Sequence, residues 1–118
     1  MHNSLIRRVT TLLALSWCTL CAGSALADAV WIDVRSAAEN RLDGIPGDAN
    51  IPHEEIGDAI GTLVPDKSTE IVLYCRSGRR SGIALETLQR LGYTDVRNAG
   101  GIAEARKEHP ATAATNCC

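Results

Sequence analysis

Three features of the chain predict an α/β fold with a mostly parallel sheet covered on both faces. Short unbroken apolar runs recur, "AVWIDV" at 29 to 34 and "EIVLY" at 70 to 74 being the clearest. Segments with apolar residues at helical spacing separate them, and Gly, Pro, Asn and Asp cluster at the joints. Unbroken apolar strands suit burial on both faces, and the intervening helices supply the crossovers that a parallel sheet needs.

The segment ahead of the first strand has the layout of an export signal. Arg7 and Arg8 form a positive start, residues 9 to 21 are mostly Leu, Ala and Thr without a charge, and Ala25 and Ala27 are the small residues of a cleavage site. A signal peptide over 1 to 27, cleaved before Asp28, is therefore expected, and Cys18 and Cys21 leave with it. Ser, Cys and Thr break the apolar run and no basic stop-transfer flank follows it, so no stable membrane association is expected after cleavage. Trp17 and Leu20 precede the two cysteines where a lipoprotein signal has a small residue.

The remainder, about 90 residues, suffices for one small domain and its core. The strand at 29 to 34 comes first. A short helix at 36 to 42 follows, opened by Ser36 as N-cap with Glu39 three residues on. "DGIPGDANIP", 43 to 52, is turn chemistry around a very short extended piece at 49 to 51. A helical pattern over 54 to 64 carries two glycines and stops at Pro65. The strand at 70 to 74, the strongest helical pattern at 81 to 93 and a third strand at 95 to 99 complete the alternation. Residues 28 to 110 form the expected domain, and 111 to 118 a flexible tail ending in Cys117 and Cys118.

Charge bounds the partners. The whole chain carries 12 Lys and Arg against 14 Asp and Glu; without Arg7 and Arg8 the formal charge is about −4. A mildly acidic body gives no support to nucleic-acid binding. The chain has no Phe, so Ile, Leu, Val and Ala must build the core. The three cysteines left after export, Cys75, Cys117 and Cys118, are an odd number, and two of them are adjacent, which argues against a disulfide framework.

"IVLYCRSGRRSG", 71 to 82, puts Cys75 at the C-terminal end of a central strand, just ahead of the strongest helix. Open parallel sheets place their ligand sites there. Only Arg76, Ser77, Gly78, Arg79 and Arg80 connect the two, with Gly78 free to take positive φ and let the loop curl. So tight a loop turns successive N–H groups inward as a nest for negative charge, and the helix start adds its positive end. The thiol pKa of Cys75 should therefore be lowered, with the arginines pushing the same way. A structural cysteine closing a strand is the plainer alternative.

Together, "VWIDVR", "GIPGDANIP", "VLYCRSGRRS" and "LGYTDVRNAGG" resemble, in order and across nearly all of 29 to 105, the rhodanese-like domain family in its single-domain form. The resemblance implies a rhodanese-like three-layer α/β fold, with a small five-stranded parallel sheet flanked by helices. It implies that Cys75 is the nucleophile of a thiosulfate sulfurtransferase and carries a cysteine persulfide, with no cofactor and no metal. Arg76, Ser77, Gly78, Arg79 and Arg80 would hold the substrate and the outer sulfur. Asp33 and Arg35 belong to another family motif; Asp33 either orients a loop arginine or caps the next turn. The implied partners are a small-molecule donor, thiosulfate, and a thiophilic acceptor, cyanide or a thiol; the implied compartment is the periplasm. Departures from the family pattern stand out. Gly44 replaces the family's usual histidine before Ile45, and "GDANIP" replaces "GAxNIP". A tryptophan common after the Gly-Gly is also missing.

The loop accounts for this chemistry without a general base, since an ionised Cys75 attacks directly. Arg79 and Arg80 are the candidates for the sulfonate, their planar forks being suited to oxyanions, with Arg80 favoured and Arg76 expected to face solvent. Gly100 and Gly101 predict a tight turn beside the site, and His53 and His109 are expected at the surface. A cysteine-dependent phosphatase needs five residues between Cys and Arg. Here only four intervene before Arg80, and the next position is Ser81. The rival of another class is a thiol redox or soft-metal module that uses Cys75 with Cys117 or Cys118.

Overall fold

The computed structural model describes residues 28–113. Its apolar runs become β1 (Val30–Asp33), β2 (Ala49–Asn50), β3 (Ile71–Cys75) and β4 (Val96–Gly101), in one sheet of order β2-β1-β3-β4 with every pairing parallel. Between and after them lie α1 (Ala37–Asp43), α2 (Ile56–Leu63), α3 (Arg79–Arg90), α4 (Ile102–Glu108) and the single turn α5 (Pro110–Ala113). All five residues of β3 are buried, which explains its unbroken apolar sequence at the centre of the sheet.

Each face of the sheet has its own core. Ile32, Leu73 and Cys75 pack with Ile56 and Ile60 of α2 and with Ala84 and Leu88 of α3. Alternate residues Trp31, Val72 and Tyr74 pack on the other side with Ile102 and Ala105 of α4. The strand period of two thus puts Cys75 and its neighbour Tyr74 on opposite faces. Ser36 accepts the Glu39 N–H while the Glu39 carboxylate accepts the Ser36 N–H, the capping box read from the sequence.

Four differences from expectation bear on the site. The sheet has four strands among the described residues, where the resemblance implies five. Helix α3 starts two residues early, at Arg79, because Gly78 takes φ of 92° and turns the chain into helix at once. Strand β4 runs on to Gly101, with a register shift that sets Leu73 opposite Asn98 but Tyr74 opposite Gly100. Helix α4 carries no sequence expectation, being seven residues long with no side-chain cap, and α5 takes in residues 111 to 113, expected as the start of the tail. The expected signal peptide and residues 114 to 118, with Cys117 and Cys118, lie outside the described residues.

Candidate active site

Cys75 closes β3, and the chain turns immediately over its sulfur. The Gly78 N–H donates to Cys75 Sγ at 2.9 Å, and Ser81 Oγ, in the first turn of α3, lies 3.5 Å from it. Burial alone pushes the Cys75 thiol up, but the Ser81 hydroxyl and the backbone N–H groups of Ser81, Ser77 and Gly78 outweigh it, and the pKa falls below that of an ordinary cysteine. The predicted direction is right; its main cause is the ring of donors rather than the arginines. The residue is completely buried, its own loop roofing it.

The loop is held in shape from β4. Gly78 sits against Gly100, whose Cα would lie 3.1 Å from an added Cβ, and a Cβ on Gly101 would lie 2.6 Å from the Arg76 carbonyl oxygen. The Gly-Gly pair therefore allows close approach of two backbone segments. Asn98 adds polar ties: its Nδ2 donates to the Gly78 carbonyl at 2.9 Å, and its Oδ1 accepts the Gly100 N–H at 2.8 Å. Its neighbourhood is the register irregularity of β4, a feature common beside active sites. Sequence reasoning missed Asn98. The available signal was a strand-disfavoured residue inside an expected strand.

The arginines divide. The Arg76 side chain is 75% exposed, with Nε 3.8 Å from a Glu39 carboxylate oxygen. Arg79 is exposed at the start of α3. Arg80 donates through both terminal nitrogens to Glu39, at 2.8 and 3.0 Å. Hydrogen bonding from Arg80 holds the Glu39 carboxyl well below the usual carboxylate range, and Glu39 in turn raises Arg80. Two cations at a helix N-terminus oppose the helix dipole, and Glu39, reaching across from α1, offsets one of them. The favoured sulfonate ligand is thus already engaged by a carboxylate, and the exposed cations beside the loop are Arg76 and Arg79.

Asp33 does not meet a loop arginine. It accepts from the Arg35 backbone N–H and from the Arg35 guanidinium at 2.9 to 3.1 Å, and also from Asn40, while Arg35 extends to Asp43 at 2.8 Å. Both residues are fully buried or nearly so, and Asp33, by accepting the Arg35 N–H, caps the turn that leads into α1. Of the two readings of Asp33, the cap is the one the contacts match.

His109 is buried, contrary to the expected surface position. Its Nε2 lies 2.6 Å from Asp48 Oδ1, its Nδ1 accepts the Ala111 N–H, and its ring packs tilted against Trp31 with the centroids 4.6 Å apart. Tyr74 donates to the other Asp48 oxygen at 2.7 Å. Asp48 is the departure in "GDANIP", so the altered motif serves a polar cluster. An open cleft of about 430 Å³, lined by Trp31, Asp48, Leu63 and His109 among others, lies at the start of β1, the opposite end of the strands from Cys75.

The family model of the rhodanese-like domain matches residues 22–108. The chain belongs to the rhodanese-like domain family. Among rhodanese relatives, it is 46% identical over 72 residues to the thiosulfate sulfurtransferase PspE of Escherichia coli, covering 61% of this chain and 69% of PspE. It is 32% identical over 78 residues to the thiosulfate:glutathione sulfurtransferase of Saccharomyces cerevisiae, covering 57% of this chain and 56% of that protein. Among solved rhodanese structures, one with anions from E. coli superposes with a TM-score of 0.63 at 43% identity, covering 65% of this chain and 91% of that one. The human single-domain sulfurtransferase TSTD1 gives 0.58 at 33% identity, covering 69% and 83%.

Proposed function

We propose that this protein is a thiosulfate sulfurtransferase that works through a persulfide on Cys75. The observation that carries the reading is the sulfur at the centre of its own loop, held by the Gly78 N–H and faced by Ser81 at the C-terminal end of β3. The Cys75 thiolate attacks the outer sulfur of thiosulfate, the S–S bond of the donor breaks with its electron pair leaving on sulfite, and the enzyme keeps the outer sulfur as a persulfide anion. No proton moves and charge balances, so a general base is dispensable. Loop amides that stabilise the thiolate are placed to stabilise the persulfide anion in turn. Cyanide or a thiolate acceptor then attacks the outer sulfur and restores Cys75.

Arg76 and Arg79 are the exposed cations that draw the dianionic donor to the loop. Arg80, paired with Glu39, fixes the start of α3. The small-molecule donor and acceptor follow from the chemistry of the relatives. The pattern of residues 1 to 27 supports export to the periplasm as the place of action.

Intact mass measured before and after thiosulfate tests the reading. A gain of about 32 Da, removed by cyanide and absent from Cys75→Ser, is the expected result for one sulfane sulfur on the nucleophile. A reduced Cys75 that gains no mass would overturn it.

A further inference from the structure

Ser81 stands where three acceptors meet. Its Oγ lies 2.6 Å from Asn98 Oδ1, 3.0 Å from the Gly78 carbonyl oxygen and 3.5 Å from Cys75 Sγ. A serine hydroxyl has one proton to give, so it serves one of the three at a time. Asn98 decides which. Its amide is oriented by partners other than Ser81: the Gly100 N–H requires an oxygen opposite it, and the Gly78 carbonyl requires an N–H. Oδ1 therefore faces Ser81. An amide oxygen only accepts, so at 2.6 Å the hydroxyl must be the donor. The Gly78 carbonyl is already served by Asn98 Nδ2. In the arrangement seen, the Ser81 proton points at β4 and away from the sulfur.

We propose that Asn98 is a positioning residue that keeps the Ser81 hydroxyl proton on its own Oδ1 and yields it to Cys75 Sγ when that sulfur carries negative charge. The proposal rests on Cys75 being the nucleophile. A neutral thiol is a weak acceptor and loses to an amide oxygen, whereas a thiolate is an anion and accepts a charge-assisted bond. Turning the hydroxyl takes one bond rotation. It leaves nothing unpaired, because Oδ1 retains the Gly100 N–H and Nδ2 retains the Gly78 carbonyl. After sulfur transfer the charge has moved to the outer sulfur, Sγ is neutral again, and the proton returns to Asn98. The Ser81 O–H bond stays intact throughout; only its direction follows the charge.

The charged side chains around the sulfur are Arg76 of the loop, Arg79 and Arg80 of α3, Glu39 of α1, Glu104 of α4 beside Gly101, and the Asp33–Arg35 pair at the end of β1. All of them stay in place in the variants that test the proposal. Alkylation of Cys75 by iodoacetamide is followed against pH in the full chain, with the Cys75 peptide read by mass spectrometry, for wild type, Asn98→Ala, Ser81→Ala and the double variant. Asn98 is exposed, so the alanine variant should fold. Losing the competing acceptor should move the inflection to lower pH and speed alkylation on its acid side about threefold, a fraction of one charge-assisted hydrogen bond after allowing for the weaker nucleophile. In the Ser81→Ala background the same substitution should do nothing to the inflection. An equal shift in both backgrounds, no shift, or an upward shift would show that Asn98 merely braces the loop, and the proposal fails. Asn98→Asp gives a second reading. Its charged oxygen should hold the Ser81 proton harder, so the inflection rises more with Ser81 present than with Ser81→Ala, and equal rises overturn the proposal. Failure here leaves the persulfide mass gain untouched.

Discussion

At the residue scale, the site depends on groups that tune a sulfur they surround. Cys75 is low in pKa although buried, because a tight turn brings several donors to it. Glu39 is the residue with two duties: its carboxylate completes the capping box of α1 and grips Arg80 of α3. Glu39→Gln can keep the cap acceptor but removes the charge opposite Arg80. The Glu39 carboxyl is held low in the folded protein, so its stabilisation is complete above the unfolded carboxyl pKa, about 4.3, and is lost as pH falls below that toward the depressed folded value. The variant should therefore be about 1 kcal/mol less stable than wild type at neutral pH, since the pair is partly screened, and the gap should narrow steadily under acid. Urea unfolding of both proteins at neutral pH and near pH 3 measures it; a gap that ignores pH would mean the pair contributes nothing as an ion pair.

At the element scale, two devices were unequally legible. The strand–loop–helix from β3 to α3 was readable because its apolar run, its lone cysteine and its glycine each have a local meaning. The bracing of that loop by β4 was not, since Asn98 and Cys75 are 23 positions apart and meet only through a parallel pairing. The same holds for α4 and α5. These short elements are anchored by His109 on Asp48, and Tyr74 completes the cluster from β3. Burial and the Asp48 carboxylate together raise the Tyr74 pKa, so its hydroxyl stays a donor. Asp48→Ala would leave the buried Tyr74 phenol without its acceptor and remove the His109 contact, at a cost of about 3 kcal/mol in stability. Thiosulfate turnover per folded molecule should stay within about twofold, because Tyr74 and Cys75 face opposite sides of the sheet. Thermal unfolding beside initial-rate kinetics checks both halves; turnover that drops tenfold while the fold persists would connect the cluster to the chemistry.

At the scale of the whole molecule, one small sheet with helices on both faces presents the Cys75 loop at the C-terminal end of its strands. The tail cysteines, Cys117 and Cys118, lie outside the described residues. Ending the chain after residue 113 removes Cys117 and Cys118 and should leave thiosulfate turnover largely intact. A loss matching that of Cys75→Ser would make the tail a partner in the reaction. By itself the sequence determined the fold class, the capping box at Ser36, the address of Cys75 and the loop spacing that disfavours a phosphatase, because each is a local pattern of apolar period, turn residue or spacing. Tertiary structure decided the rest: Arg80 went to Glu39, Asp33 to Arg35, His109 to the interior and the Ser81 proton to Asn98. Polar side chains choose among acceptors brought near by the sheet, and no spacing along the chain states which acceptor arrives first.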